Sequence, residues 1–388
     1  MFRRFDYMRF HMPTEIYNES GCVRNHAGLF KSLGEKALIV TGAHSSKVNG
    51  SLDDVQSALE NQGISFLVFD GIEENPSVET CAKAAKLGIE EKVDFVIGIG
   101  GGSPLDASKA IALLIKNPQL DSSVFYKKIP LEALPVIAIP TTAGTGSEAT
   151  PYAILTIHEQ QTKQSISHRI FPKAALIDPG YFKFMPEKVM IYTAVDALAH
   201  LIESYLSTTS HKCFEFITLE GISLWKKAMA PYLNVSWDNS PLDLSDKQRR
   251  DEMLAHVDYE SLVNASTLAG ICISQTGTSL PHGMSYPVTY EHKLAHGCAV
   301  AIFLPSYIKR YEDTNRVNHL LKRLGMENQP DKFAAFINYL LGKPKAALAQ
   351  VEKYAQVMAG NVAKSAHHPY PVSYEMYLDM YKESMDIE

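Results

Sequence analysis

The sequence predicts an α/β N-terminal domain, with a parallel sheet flanked by helices, followed by an all-helical C-terminal domain. Three observations carry this expectation. Short apolar runs alternate with amphipathic helical patterns through the first half. A triple glycine joins one such run to a helical pattern. After Asp178-Pro179-Gly180 the periodicity becomes almost entirely that of helices.

The runs Lys36–Thr41, Ser65–Phe69, Val93–Ile99 and Leu134–Ile139 are rich in Val, Ile and Phe and bounded by Gly, Asp or Pro. Continuous apolar strands of this kind belong to sheets covered on both faces. Helical patterns at Leu52–Gln62, Val78–Glu91 and Pro104–Ile115 separate them, and shorter strand-like pieces follow at Ala153–Ile157 and Ala174–Ile177. From Pro186 onward apolar residues recur at three and four, through Leu206, Phe214–Met229, Lys247–Ser274 and Pro344–Met358, with a polar loop at Asn234–Asp246. The expected division is 1–183 as the α/β domain and 184–388 as the helical metal and substrate domain. A cleft between such halves is where a ligand is expected.

Composition narrows the class. The 388 residues are 46% hydrophobic and 21% charged with a net charge of -6, which fits a soluble globular protein rather than a nucleic-acid binder. Five scattered cysteines, never CxxC, indicate neither a disulfide framework nor a thiolate zinc site and suit a reducing cytosol. The longest unbroken apolar runs are strand-sized, and Met-Phe-Arg-Arg-Phe-Asp at the N-terminus has no apolar core of a signal peptide. A cytoplasmic protein is expected, with no membrane and no nucleic-acid partner.

Gly100-Gly101-Gly102-Ser103 follows the Val93–Ile99 run, and Pro104 is read as opening the next helix. Glycines leave no Cβ between backbone and ligand, and a helix start offers free N–H groups to a phosphate. The alternative is a plain tight turn, which rarely needs three glycines. Asp106 lies in the first turn of that helix and Lys109 one turn later. A second loop, Pro140-Thr141-Thr142-Ala143-Gly144-Thr145-Gly146-Ser147-Glu148, presents hydroxyls after another strand. Gly42-Ala43-His44-Ser45-Ser46-Lys47 ends the first strand with hydroxyls and a cation but no carboxylate, which favours a 2′-phosphate and hence NADP, the alternative being a surface loop.

Asp196 and His200 stand at i and i+4 on one helical face, with Glu203 on the same face as a candidate to orient His200. His282-Gly283 and His296-Gly297 add two imidazoles. Three histidines and one carboxylate form an N/O set for Fe(II) or Zn(II). Spacing alone leaves their convergence open.

With these motifs in order, the chain resembles the iron-containing (group III) alcohol dehydrogenases of the dehydroquinate-synthase-like superfamily. The resemblance implies an N-terminal dinucleotide-binding domain, with Asp196, His200, His282 and His296 as metal ligands and Gly101, Gly102 and Ser103 matching the pyrophosphate loop, beside which Gly100 and Asp106 are also expected to bind the cofactor. It places Thr141, Thr142, Thr145 and Ser147 around the nicotinamide and its ribose, and Lys163 near the ribose. Gly42, Ser45, Ser46 and Lys47 look like the corresponding segment of NADP users. Many members carry a second histidine four residues after the third ligand. Here that position is Tyr286, so Tyr286 or His292 is a candidate proton relay. The implied reaction is hydride transfer between NADP(H) and a small alcohol or aldehyde, with NAD as the alternative cofactor and a homodimer as the assembly. The rival within the fold is a synthase or lyase using NAD transiently. It needs several cations around the substrate, and Leu280–Gly297 supplies only Lys293.

Overall fold

A computed structural model describes residues 8–160, 162–237, 241–361 and 365–388, so the N-terminal Met1–Asp6 read above lies outside the described residues. The chain forms two compact units, one of His11–Met185 and one of Pro186–Glu388 joined by the residues just before His11. The boundary therefore differs from 183/184 at both ends. Phe10 goes with the helical unit because its ring stacks on Phe214, with centroids 6.1 Å apart.

In the first unit six strands make one parallel sheet. They are β1 (Glu15–Asn18), β2 (Lys36–Thr41), β3 (Ser65–Phe69), β4 (Phe95–Gly100), β5 (Val136–Pro140) and, later in the chain, β8 (Ala174–Ile177), in the order β1-β8-β5-β4-β2-β3. The sequence reading did not anticipate β1, an edge strand whose polar ends hide its register. Ala153–Ile157 does not enter this sheet. Its residues form β6 (Ile154–Ile157), paired antiparallel with β7 (Thr162–Ser165). The helices Ser51–Asn61, Val78–Glu90 and Gly102–Lys116 supply the crossovers. The last two bury Cys81, Ala84, Ile111 and Leu114 in a core with Leu38, Val96 and Val136.

The strand order sets the position of a ligand. From β2 the chain adds β3 on one side and then returns to add β4 on the other. In open parallel sheets the loops after the strands diverge at such a reversal and leave a crevice. Here those loops begin at Gly42 and Gly101, after a register that pairs Thr41 with Ile99.

The second unit is helical apart from a short parallel pair, Lys345–Ala346 with Asp386–Ile387. The expected Lys247–Ser274 helix is two, Lys247–Ala255 and Tyr259–Thr276, because the Asp258 carboxylate accepts the Ser261 N–H at 2.9 Å and starts a new helix. The Glu187–Leu206 helix is long and apolar enough to span a membrane by length and composition. It is instead the core of this unit: from Met190 to Leu206 all but Tyr192 and Thr193 are buried, and the Trp225 indole donates to the Ala194 carbonyl at 2.6 Å.

Candidate metal centre and dinucleotide cradle

The Glu187–Leu206 helix sets Asp196, His200 and Glu203 along one buried stripe. The Leu280–His292 helix brings His282, and Asp196, His200 and His282 offer ligand atoms that all lie within 4.8 Å of one another. The His200 and His282 rings stack with centroids 4.5 Å apart, and the His296 ring stands 5.5 Å from that of His282. Gly297 explains how His296 gets so near. A Cβ there would fall 1.9 Å from the Tyr192 carbonyl and 2.8 Å from the Asp196 Cβ, so only glycine allows the two helices this approach.

Glu203, expected to orient His200, bonds His282. Its Oε1 receives His282 Nδ1 at 2.6 Å, and its Oε2 receives the Ser279 N–H at the start of the Leu280–His292 helix. A carboxylate at a helix N-terminus is favoured by the helix dipole. With Nδ1 bonded to Glu203, Nε2 of His282 is the atom left to ligate. That Nε2 and Asp196 Oδ1 are 3.6 Å apart, buried and without hydrogen bonds among the described residues. Burial disfavours charge on His282, yet Glu203 and Asp196 outweigh it and push the imidazole up to about 10. Burial likewise opposes charge on Asp196, but His200, His282 and His296 hold it well below the usual carboxylate range. Two inward-facing orphaned donor atoms, in a pocket that favours positive charge, fit a divalent cation.

Tyr286 lies beside this group, its ring parallel to that of His296 at 6.5 Å. Burial, with Glu203 and Asp196 adding, pushes its phenol up to about 12. His292 is not brought to the ligands. It is ten residues beyond His282 on the same helix, roughly 15 Å along the axis. Its Nε2 lies 3.2 Å from the hydroxyl of Tyr354, which donates to Glu291 at 2.6 Å.

In the first unit Gly101 caps the Gly102–Lys116 helix, so the helix starts two residues before Pro104. No side chain caps it, and its first N–H groups are available to a ligand. A Cβ on Gly101 would meet Thr142 Oγ1 at 2.9 Å, and one on Gly102 would meet Thr145 Cγ2 at 2.8 Å. The glycines thus serve the packing of the second loop as well as access for a phosphate. Gly100 and Pro140 are register partners, and the Thr141 N–H donates to the Gly100 carbonyl at 2.9 Å, which ties the two loops together.

Asp106 and Ser147 bond each other and brace the loops. Asp106 accepts the Ser147 hydroxyl at 2.5 Å and the Ile154 N–H at 2.8 Å. Lys109, completely buried, donates to the Ser147 carbonyl, the Ser147 hydroxyl and the Tyr152 carbonyl at 2.7–2.8 Å. Ser46 also faces inward, accepting the Thr41 hydroxyl at 2.9 Å. Ser45 is exposed beyond Gly42. Lys47 ion-pairs with Asp70 at 2.6 Å, so a carboxylate from the end of β3 reaches the segment that lacks its own.

Asn75, which the sequence reading missed, links these parts. Its N–H donates to Ser103 Oγ at 3.0 Å and its side-chain oxygen accepts Lys163 at 2.6 Å. Burial lowers Lys163 to about 8, with Glu74 resisting, so the ammonium persists at neutral pH. The signal was an Asn before Pro76 in a strand-to-helix loop, where its φ of 61° suits asparagine.

Residues 13–179 match the family model of iron-containing alcohol dehydrogenases, and residues 190–359 match the C-terminal model of the same family. The chain is 31% identical over 307 residues to the NADPH-dependent butanol dehydrogenase of Clostridium saccharobutylicum, spanning 78% of this chain and 74% of that one. It is 32% identical over 307 residues to long-chain-alcohol dehydrogenase 1 of Geobacillus thermodenitrificans, spanning 76% and 72%. The crystal structure of an iron-containing alcohol dehydrogenase of Thermotoga maritima superposes with a TM-score of 0.85 at 32% identity, covering 98% of this chain and 99% of that one.

Proposed function

Because this chain belongs to the iron-containing alcohol dehydrogenase family, we propose that it transfers a hydride between NADP(H) and a small alcohol or aldehyde at a divalent metal. The observation that carries this reading is the buried Asp196–His200–His282 group, with Asp196 Oδ1 and His282 Nε2 left to a cation. When bound, the metal supplies a Lewis acid for the substrate oxygen, and the nicotinamide supplies or accepts the hydride.

The chain's own groups hold these parts. Asp196, His200, His282 and His296 would bind the metal, and one carboxylate among neutral imidazoles leaves a divalent ion with net positive charge. Glu203 keeps the His282 proton on Nδ1. The uncapped N–H groups after Gly101, with the Ser103 hydroxyl, would bind pyrophosphate, and Lys163, fixed by Asn75, would face the ribose. Tyr286 can donate a proton but is not a base near neutrality. Tyr286→Phe is therefore expected to lower kcat/KM by no more than about 10-fold and to leave its pH profile from 6 to 9 unchanged. A limb of that profile lost in the variant would show that the phenol titrates in catalysis.

NADP preference has two supports, the NADPH dependence named for the Clostridium relative and a Gly42 segment without its own carboxylate. Asp70 beside Lys47 opposes it. Gly42→Asp adds the missing charge, and the added Cβ would lie 3.4 Å from the Ile72 carbonyl, an ordinary contact. The NADPH-to-NADH ratio of kcat/KM is expected to fall about tenfold by repulsion of the 2′-phosphate. An unchanged ratio would place the 2′-phosphate elsewhere. Fe(II) is the proposed metal, on the family's description, and a cytosolic homodimer is proposed with it.

The test is NADPH oxidation with a panel of small aldehydes, on protein stripped by chelator and reloaded anaerobically with Fe(II) or Zn(II), with NADH in parallel. Metal-dependent turnover that prefers NADPH is the expected result. Preference for NADH would overturn the cofactor assignment alone, and full turnover of stripped protein would overturn the metal assignment.

A further inference from the structure

Behind Glu203 lies a second set of buried polar atoms that the proposed reaction does not use. Ser279 Oγ, Tyr307 Oη and both ring nitrogens of His368 are buried, without a well-formed hydrogen bond among the described residues. Their residues are 2%, 1% and 6% exposed, so solvent does not reach them. Such atoms are costly in an interior and usually mark a polar network with a task or an ordered water that joins them.

The three side chains are neighbours. The Tyr307 ring is 5.6 Å from that of His368, and Tyr311 and Tyr370 close the imidazole in at 6.0 and 5.4 Å. Burial drives the Tyr307 phenol well above its ordinary range, Glu203 adds to the rise, and the adjacent Ser279 hydroxyl opposes it. The phenol thus sits near both Glu203 and Ser279. Ser279 is the residue whose N–H bonds Glu203 Oε2, and Glu203 Oε1 holds His282. The loop carrying His368 is anchored on the same region. Its His367 carbonyl accepts the Thr208 N–H at 2.9 Å, just past the end of the Glu187–Leu206 helix, and the His367 ring lies 2.8 Å from where a Gly277 Cβ would be. Burial lowers His368 to about 4, so the ring is neutral at working pH and offers one donor and one acceptor.

We propose that Tyr307 and His368 are positioning residues, which pack beside Ser279, hold its N–H on Glu203 and so keep His282 in its metal-ligating orientation. The inference rests on the metal reading above. Its reach is from the loop at 365–370 to His282, 86 positions earlier. Partners of this kind tune metal affinity through the orientation and basicity of the ligand they support.

The test is Co(II) affinity of the full chain, measured by competition with a chromophoric chelator, beside the melting temperature of the metal-free protein. Tyr307→Phe removes one oxygen and His368→Phe removes both nitrogens while keeping ring bulk. Each is expected to weaken Co(II) binding about 10-fold or more, and to shift the Co(II) absorption bands, with the metal-free melting temperature little changed. The double variant should lose less than the product of the two, as members of one network do. His368→Gln, which restores a donor and an acceptor, should recover part of the affinity. Unchanged Co(II) affinity with a lowered melting temperature would show that the cluster only packs, and would overturn the proposal while sparing the metal reading. Wild-type protein that binds no Co(II) would overturn the metal reading, and this proposal with it.

Discussion

His200→Ala is expected to abolish aldehyde-dependent NADPH oxidation and to weaken metal retention by about 10²-fold or more, an average share of a four-ligand site. The side chain is 4% exposed and stacked on His282, one turn from Asp196, so no solvent ligand can take its place without rearrangement. Metal content after dialysis, read with turnover and far-UV circular dichroism, checks this. A folded variant with full turnover and no metal would sink the proposed chemistry. The same site predicts a pH dependence with a definite sign. Without metal, His282 holds its proton up to about 10 because Glu203 and Asp196 outweigh burial. A cation must displace that proton, so apparent metal affinity should rise with pH, by about tenfold per unit between 6 and 8. Affinity independent of pH across that range would mean that Nε2 of His282 is not a ligand.

The sequence makes some of this site legible and hides the rest for a physical reason. The i, i+4 spacing of Asp196 and His200 gives a shared helical face directly, and apolar runs with Gly, Asp or Pro close by define β2, β3 and β8 to the residue. Periodicity reports which face is buried but not what it meets. Glu203 bonds His282, 79 positions away. Asp106 and Ser147, both expected at the cofactor, find each other across 41 positions because β4 and β5 are adjacent. Ser46 and Lys47 are consecutive on a short helical turn, yet one faces the core and the other Asp70. His292 shares a helix with His282 but lies nearly three turns away, a separation its nearness in sequence conceals. Membership of a site is a tertiary property, and only close-packing glycines such as Gly297 leave a trace of it in the chain.

Lys109→Met is expected to destabilise the His11–Met185 unit by about 3–5 kcal/mol, the cost of removing one partner from a buried charge pair. Lys109 is fully buried and reaches within 3.8 Å of Asp106. Burial raises Asp106 and lowers Lys109 to about 8, so desolvation pulls the pair toward neutrality. The hydrogen bonds argue for the ionised pair at neutral pH. Lys109 donates three, as an ammonium does, and Asp106 accepts from a hydroxyl and an N–H, as a carboxylate does. Glu148, pushed up to about 7 by burial against the pull of Lys109, would lose its nearby cation as well. Methionine fills the volume and supplies none of these bonds. A fall in melting temperature of about 10 °C should follow. Because Ser147 loses both of its bonds from Lys109, the second loop should also loosen over Gly101 and Gly102, raising KM for the nicotinamide cofactor more than it lowers kcat. Asp106→Asn in the same chain removes the stranded charge and should restore part of the stability, a coupling that a double-mutant cycle measures. Stability unchanged in the single variant, or strictly additive losses in the double, would show that the ionised pair does not brace the two loops.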